Sequence, residues 1–104
     1  MTKVQKGKKI EAYAREDLRN LGYLVEIKNY SRFQPKDFYN LFDILAIIGS
    51  TTKLIQIKSN VSHFYQARKE IKEWKKSNHI KIPCEVWLWI SRAKKINEWR
   101  IEEC

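Results

Sequence analysis

Apolar and polar side chains change their pattern in the middle of the chain, where a long apolar run is followed by regular alternation. Residues 42–48 are apolar except for Asp43, which is the pattern of a strand buried on both faces. Residues 49–52 read Gly-Ser-Thr-Thr and have the composition of a turn. Residues 53–58 then alternate, with two isoleucines on one face and Leu54 followed by polar side chains on the other. The pattern predicts a β-hairpin.

The predicted hairpin brings together three side chains that could carry chemistry. A four-residue turn places Ile48 opposite Lys53 in an antiparallel pair. In that register Asp43 lies opposite Lys58, and Gln56 lies on the same face at the diagonal position. The alternative is a cross-strand ion pair on a solvated sheet face. Because a carboxylate at the start of so apolar a run needs a strong partner to offset its desolvation, we favour a buried functional group.

The flanking segments predict two helices and three more strands. Residues 8–21 repeat apolar side chains at three- and four-residue spacing before Gly22, and residues 61–77 do so after a group of capping residues. Strand patterns occupy residues 23–28, 84–91 and 96–102. The order α-β-β-β-α-β-β predicts an α/β fold with a mixed central sheet. At 104 residues, the chain is expected to form a single domain, residues 1–104.

Two further features allow both a functional and a purely structural interpretation. Glu11 lies about 100° around the first helix from Ile10, so it can face a cleft beside the sheet or stabilise the positive end of the helix dipole. Residues 29–41 are irregular and mix aromatic side chains with Arg32 and Lys36. Such a segment can stack on bases and contact phosphates, or its aromatic rings can fill the core.

The charge of the chain favours a polyanionic partner. Lysine and arginine number 21 against 12 acids, which gives a formal net charge of +9. Nucleic acid is the first candidate partner and an anionic membrane surface the second. The residues that we predict to contact nucleic acid are Lys6, Lys8, Arg32, Lys36, Arg68, Lys69, Lys72 and Lys76.

Other classes of protein are disfavoured by what the sequence lacks. No apolar segment approaches the roughly 20 residues that span a bilayer, and the basic N-terminus has no apolar core of a signal peptide. We therefore expect a cytoplasmic protein with no membrane association. Cys84 and Cys104 have neither metal-type spacing nor a disulfide framework, and His63 and His79 are too isolated to indicate a zinc site.

The order of elements and the positions of the acids resemble the PD-(D/E)XK nuclease superfamily, whose common core is αβββαβ. Members carry a glutamate on the first helix, an aspartate at a strand start, and (Asp/Glu)-X-Lys on the adjacent strand. The matching residues are Glu11, Asp43 and Gln56-Ile57-Lys58, and the resemblance covers roughly residues 6–90. It implies a restriction-endonuclease-like core, with the mixed sheet flanked by the two helices.

Two subgroups of that superfamily resemble the chain more specifically. The first helix is similar to that of archaeal Holliday-junction resolvases through Lys6-Gly7, Glu11, Leu18 and Leu21-Gly22-Tyr23. Gln56 replaces the acid found in most members, and Gln-X-Lys resembles the variant of Mrr-like type IV restriction endonucleases. Phe42 precedes the aspartate in place of the proline in the motif name.

The resemblance implies a phosphodiester hydrolase that uses Mg²⁺ or Mn²⁺. Mg²⁺ takes oxygen ligands and keeps several waters, so one or two carboxylates and the substrate phosphate suffice. Glu11 and Asp43 would be the anionic ligands, Gln56 would add a neutral amide oxygen, and Lys58 would orient water or offset charge on the phosphate. These four residues form the predicted catalytic site.

Three functions remain open on the sequence. The leading hypothesis is a metal-dependent DNA endonuclease, with branched or Holliday-junction DNA as a candidate substrate. The second is a nuclease-fold protein that binds DNA without cutting it, its site eroded at Gln56. The third is an interaction module whose charge serves only solubility.

The last two strands suggest an interface. If Ser91 faces Ile96, Trp87 and Trp89 lie opposite Arg100 and Glu98 on an otherwise polar sheet face. Such a patch predicts a homodimer, which would suit a two-fold symmetric junction. The alternative is that the irregular loop or the N-terminal segment covers the patch.

Overall fold

The computed structural model describes residues 3–27, 39 and 41–104. Within these described residues, seven elements follow one another in the predicted order α-β-β-β-α-β-β. Arg32 and Lys36, which were predicted to contact nucleic acid, lie outside the described residues. The elements are α1 (Lys3–Asn20), β1 (Leu24–Ile27), β2 (Ile44–Ile48), β3 (Thr51–Lys58), α2 (Val61–Asn78), β4 (Cys84–Ala93) and β5 (Ile96–Glu103).

The five strands form one mixed sheet in the order β1-β2-β3-β4-β5. Strands β3 and β4 are parallel, and the other neighbouring pairs are antiparallel. A parallel pair needs a long crossover connection, and α2 supplies it between β3 and β4. The prediction of an α/β fold with a mixed central sheet is confirmed.

The two helices cover opposite faces of the sheet. Adjacent residues of a strand point to opposite faces, and Leu54 belongs to the apolar cluster under α2 whereas Ile55 belongs to the cluster under α1. Val86 and Trp87 on β4 divide in the same way. Strands β3 and β4 are therefore buried on both sides. Neither helix in the described part of the chain is long and apolar enough to cross a membrane.

The ends of both helices are determined by local sequence. Gly22 adopts a φ of +96°, its N–H donates to Arg19 O, and the next N–H, of Tyr23, donates to Leu18 O. This pair of bonds is the Schellman motif, for which glycine is suited because it has no Cβ. Asn60 caps α2 by accepting hydrogen bonds from the N–H groups of Ser62 and His63. The stop at Gly22 and a cap within residues 59–62 were predicted, whereas α1 begins at Lys3 rather than at the predicted residue 8.

The predicted register of the first hairpin is wrong by two residues. Ile48 pairs with Thr51 rather than with Lys53, because the turn consists of Gly49 and one further residue instead of four. Gly49 takes a φ of +57°, which a tight hairpin turn requires and glycine permits. The two threonines, whose composition suggested a turn, instead extend β3. Asp43 is consequently not opposite Lys58.

The predicted register of the second hairpin is also wrong. Ala93 pairs with Ile96 across Lys94 and Lys95, which both have positive φ, and a bulge follows between Trp89 and Ser91. Lysine rarely adopts positive φ, so the sequence carries no signal for this two-residue turn. Beyond the bulge, Trp89 pairs with Trp99. The expected exposed strip of tryptophans beside charged residues does not form.

Helix α1 covers the tryptophans that were predicted to form an interface. Trp87 is only 3% exposed, and the half-buried Trp89 stacks on Tyr13 of α1 with ring centroids 5.2 Å apart. The described contacts with these rings come from the body of α1, which the alternative of the irregular loop or the N-terminal segment did not name. The homodimer thus loses the observation that suggested it and stays a prediction, which sedimentation at micromolar concentration would test.

Asp17 connects α1 to the edge strand β5. Its carboxylate accepts hydrogen bonds from Trp99 Nε1 at 2.8 Å and from Asn97 Nδ2 at 3.0 and 3.1 Å. Hydrogen bonds to a charged acceptor are stronger than neutral ones. Asp17 therefore holds the helix against the cluster of Trp87, Trp89 and Trp99 that lies beneath it.

Replacing Asp17 by alanine should lower the free energy of unfolding by about 1–3 kcal/mol, because two partly buried donors lose their acceptor. Glu16→Ala is the matched control, since the Glu16 side chain is 48% exposed and its partner among the described residues is Arg92; its cost should stay below about 0.5 kcal/mol. Urea denaturation measures both. Equal effects of the two variants would contradict this role of Asp17.

Candidate functional site

The backbone is irregular at Asp43, immediately before β2. The N–H of Asp43 donates to Ile55 O at 2.9 Å, although Ile55 already pairs with Ile44. Two residues thus face one residue of β3, the arrangement of a β-bulge. Phe42 and Leu45 accordingly both pack in the cluster under α2, with two residues between them. The side chain of Asp43 is turned out of the regular alternation of the strand.

The carboxylate of Asp43 is buried and bound to the backbone of β3. Oδ2 accepts a hydrogen bond of 2.7 Å from the N–H of Ile57, and Asp43 is only 6% exposed. The carboxylate is therefore not on a solvated sheet face, as the alternative interpretation required. Ile57 separates Gln56 from Lys58, so this bond places the carboxylate beside the chain segment that carries both of those side chains.

Glu11 is the second buried acid among the described residues, at 5% exposed. It precedes Ala14 and Leu18 by three and seven positions, so it shares their face of α1. Both of those residues are fully buried against the sheet. Glu11 therefore faces the sheet directly, whereas its angle from Ile10 indicated a position at the edge of the apolar face of the helix.

Glu11 and Asp43 lie at the same end of the sheet. Helix α1 turns back into β1 within three residues and packs against it, so the N-terminal half of α1 covers the end of β1. There Ile27 pairs with Ile44, the residue after Asp43. The end of β3, with Gln56 and Lys58, reaches the same edge. The topology thus collects all four predicted residues at one end of the sheet.

The side chain of Gln56 carries an unsatisfied acceptor. Gln56 pairs with Val86 and so belongs to the α2 face of the sheet. Its Oε1 is buried, and no donor among the described residues reaches it. Leaving a buried acceptor unpaired costs about 1–3 kcal/mol. Such an oxygen is suited to a cation or to a donor that arrives with a ligand.

Lys58 lines a cleft of about 190 Å³ between the end of β3 and α2. His63, Gln66 and Glu70 form the opposite wall, and Gln66 Nε2 donates to Glu70 Oε1 at 3.1 Å. None of these three helix residues was among the predicted site residues. Their spacing of three and four positions is the signal that could have identified a common face.

The four predicted residues are on two faces of the sheet. Asp43 connects to the segment of Gln56 and Lys58 through the Ile57 amide, and these two side chains point toward α2. Glu11 approaches the same end from the α1 side. A ligand in contact with all four would lie at the end of the sheet rather than above either face.

The donor set fits a magnesium-type ion better than zinc. Within residues 3–27, 39 and 41–104, no group of three or more histidine, cysteine, aspartate or glutamate side chains could hold a metal. Zinc sites need three or four such ligands. Mg²⁺ needs only one or two carboxylates with neutral oxygens and water. The two buried carboxylates, and an amide oxygen that no donor among the described residues reaches, are ligands of that type.

The cysteines do not provide a nucleophile. Burial raises the pKa of the Cys84 thiol to about 11, although nearby Lys75 acts in the opposite direction. Burial also raises the pKa of Cys104. Both thiols are therefore protonated at neutral pH, where the thiolate would be the reactive form.

The basic residues of α2 divide into two groups. Lys69, Lys72 and Lys76 are exposed and follow one another at three- and four-residue spacing, so they form a stripe. Arg68 differs, because its side chain is 26% exposed and lies 4.0 Å from Glu102. Lys75 donates to Cys104 O at 3.0 Å. Of the predicted contacts on α2, the three-lysine stripe is the part best placed to reach a ligand.

Near the start of α1, Lys6 and Lys8 are exposed as well.

Comparison with known proteins adds no family to these observations: no family model matches the chain, and no curated protein gives a significant match.

Proposed function

We propose that this protein is a metal-dependent DNA endonuclease with a PD-(D/E)XK-type core. The observation that carries the proposal is the end of the sheet, where the buried carboxylate of Asp43 is bound to the backbone between Gln56 and Lys58. The buried oxygen of Gln56, which no donor among the described residues reaches, and the buried Glu11 support the same assignment. The element order and the mixed sheet are those that the resemblance implies.

Each residue has a role that follows from its surroundings. Glu11, Asp43 and Gln56 would hold Mg²⁺ or Mn²⁺, which when bound acts as a Lewis acid and lowers the pKa of its water. The Ile57 amide fixes the position of the Asp43 carboxylate. Lys58 contributes a positive charge in the cleft, where it orients the attacking water or offsets charge on the phosphate.

The charge distribution supports DNA as the substrate. The exposed stripe of Lys69, Lys72 and Lys76 matches a phosphate backbone, and the net charge of +9 favours a polyanion throughout. Branched or Holliday-junction DNA is the substrate that the resemblance suggests. Cleavage of a two-fold symmetric junction would suit a homodimer.

A second candidate function is DNA binding without cleavage. The bond from Ile57 N–H gives the Asp43 carboxylate a structural role at the bulge, and Gln56 contributes no negative charge. Both features would be retained in a protein whose catalytic site has eroded. Cleavage of supercoiled plasmid and of a four-way junction with Mg²⁺ or Mn²⁺ separates the two functions.

Asp43→Asn should reduce the rate of cleavage by about 10²–10³-fold, while DNA affinity stays the same or rises. Asparagine can still accept the Ile57 hydrogen bond through its side-chain oxygen, so the variant removes charge and preserves the fold. Lys58→Ala should also abolish cutting. The matched control is Glu26→Gln, the same loss of charge at an exposed position of β1. Full cleavage by Asp43→Asn would exclude the proposed site.

Gln56→Glu should tighten Mn²⁺ binding by about tenfold, because it adds a third anionic ligand. Isothermal titration of the metal alone measures this effect without DNA. Asn20→Asp is the control, since it makes the same change from amide to acid at the exposed far end of α1. Unchanged metal affinity in Gln56→Glu would show that Gln56 does not face the metal.

Replacing Lys72 and Lys76 together by glutamine should weaken binding to all duplexes alike and reduce the slope of log K against log salt by about two. The double variant Lys94→Gln, Lys95→Gln removes the same charge from the exposed β4–β5 turn and should change the slope less. Titrations at several salt concentrations measure both variants. Loss of affinity for one sequence only would contradict a phosphate contact.

A further inference from the structure

A second cleft, of about 310 Å³, lies between α1 and β4. Its lining combines basic and aromatic side chains and includes Lys6, Lys9, Tyr13, Trp89 and Arg92. None of these five belongs to the candidate catalytic residues. The volume is at the lower end of the range for small-molecule sites, so it suits a group of about one nucleotide rather than a duplex.

The aromatic side of the cleft is held in place by its neighbours. Tyr13 and Trp89 stack at an interplanar angle of 30°, and Trp89 meets Trp99 edge to face at 5.1 Å. Trp99 is in turn bound to Asp17. Because both Tyr13 and Trp89 are only half-buried, they present part of their surface to a ligand at little further cost in ordering.

The cations are arranged around the same rings. The guanidinium carbon of Arg92 lies 4.2 Å from the centroid of Tyr13, and Lys9 Nζ lies 5.9 Å from it. Arg92 is fixed by Glu16 at 3.4 Å and by Asn97 at 3.3 Å. Lys6 and Lys9 are exposed, and none of the described residues that line the cleft is an acid. The cleft therefore has an excess of positive charge.

Flat rings beside exposed lysines match the two parts of a nucleotide. Bases stack on aromatic side chains whatever their sequence, and lysines attract the phosphates that flank them. In a duplex the base faces are already covered by their neighbours, so only an unpaired nucleotide can offer one. The chemistry of the cleft thus favours single-stranded over double-stranded DNA.

We propose that this cleft binds an unpaired nucleotide of a DNA strand, with the base against Trp89 and the phosphates on Lys6 and Lys9. The choice of DNA rests on the proposed function. Glu11 lies on the same helix between Lys9 and Tyr13, about 3 Å along the axis from Lys9. An unpaired nucleotide at a branch point would therefore be held next to the candidate catalytic end of the sheet.

The test compares a blunt duplex with the same duplex carrying a three-nucleotide unpaired flap, by fluorescence anisotropy in EDTA. The wild-type protein should bind the flapped duplex more tightly. Trp89→Leu should weaken binding to the flapped duplex by about tenfold, because a stacking partner is lost. Its affinity for the blunt duplex should stay within about twofold of the wild-type value. Circular dichroism establishes that the variant is folded.

The exposed pair Lys6→Gln, Lys9→Gln decides the question if Trp89→Leu does not fold. This double variant should weaken binding to the flapped duplex more than binding to the blunt duplex. The control Lys94→Gln, Lys95→Gln should change the affinity for both duplexes equally. An equal effect on both duplexes, or no preference of the wild-type protein for the flap, would overturn the inference.

The same experiment separates this inference from the proposed nuclease activity. A flap preference that depends on Trp89 in a protein that never cuts DNA supports the cleft and rejects the endonuclease. Cleavage by a protein whose flap affinity does not depend on Trp89, Lys6 or Lys9 supports the endonuclease and rejects the cleft. Absence of any DNA binding rejects both.

Discussion

The hydrogen bond from the Ile57 amide to the carboxylate of Asp43 connects the fold of this protein to its candidate site. Regular pairing between β2 and β3 ends at Ile44, so the strand would otherwise leave the N–H of Ile57 without a partner on that side. The carboxylate of Asp43 takes over at 2.7 Å. A buried carboxylate is itself costly unless it is hydrogen-bonded, so the bulge and the acid stabilise each other.

This arrangement gives Asp43 both a structural and a chemical role. A carboxylate has two oxygens and about four acceptor positions, so accepting one backbone N–H does not exhaust it. The bond from the Ile57 amide fixes the position of the carboxylate. That is the property needed in a group that must hold a ligand in a defined geometry, and it persists when the acid is exchanged for an amide.

Helix α1 determines which surfaces the protein presents. It buries Trp87 beneath it, places Glu11 against the end of the sheet, and forms one wall of the basic and aromatic cleft with Trp89. These consequences depend on the anchoring of the helix to β5 through Asp17. The stability of the α1–β5 contact is thereby coupled to the candidate catalytic end of the sheet and to the cleft.

The sequence by itself determined the elements and their order, because strong signals mark them. The apolar run before Gly49, the Gly22 stop and the Asn60 cap each act within a few residues of the chain. The burial of Asp43 also followed from local sequence, since a single charge in a run of aliphatic side chains cannot remain in water when the strand is covered on both faces.

The tertiary structure alone decided the registers and the environment of each functional residue. A turn that is two residues longer or shorter keeps each side chain on the same face of the sheet but changes every cross-strand partner. Ile48, for example, pairs with Thr51 instead of Lys53. Lys94 and Lys95 adopt positive φ because the two-residue turn between β4 and β5 requires it, although lysine rarely adopts this conformation. Whether Trp87 and Trp89 are exposed depends on where α1 packs, and that position is set by contacts with residues about 80 positions away in the chain, such as Asp17 with Trp99. Local patterns cannot specify such contacts, because they form only once the sheet exists.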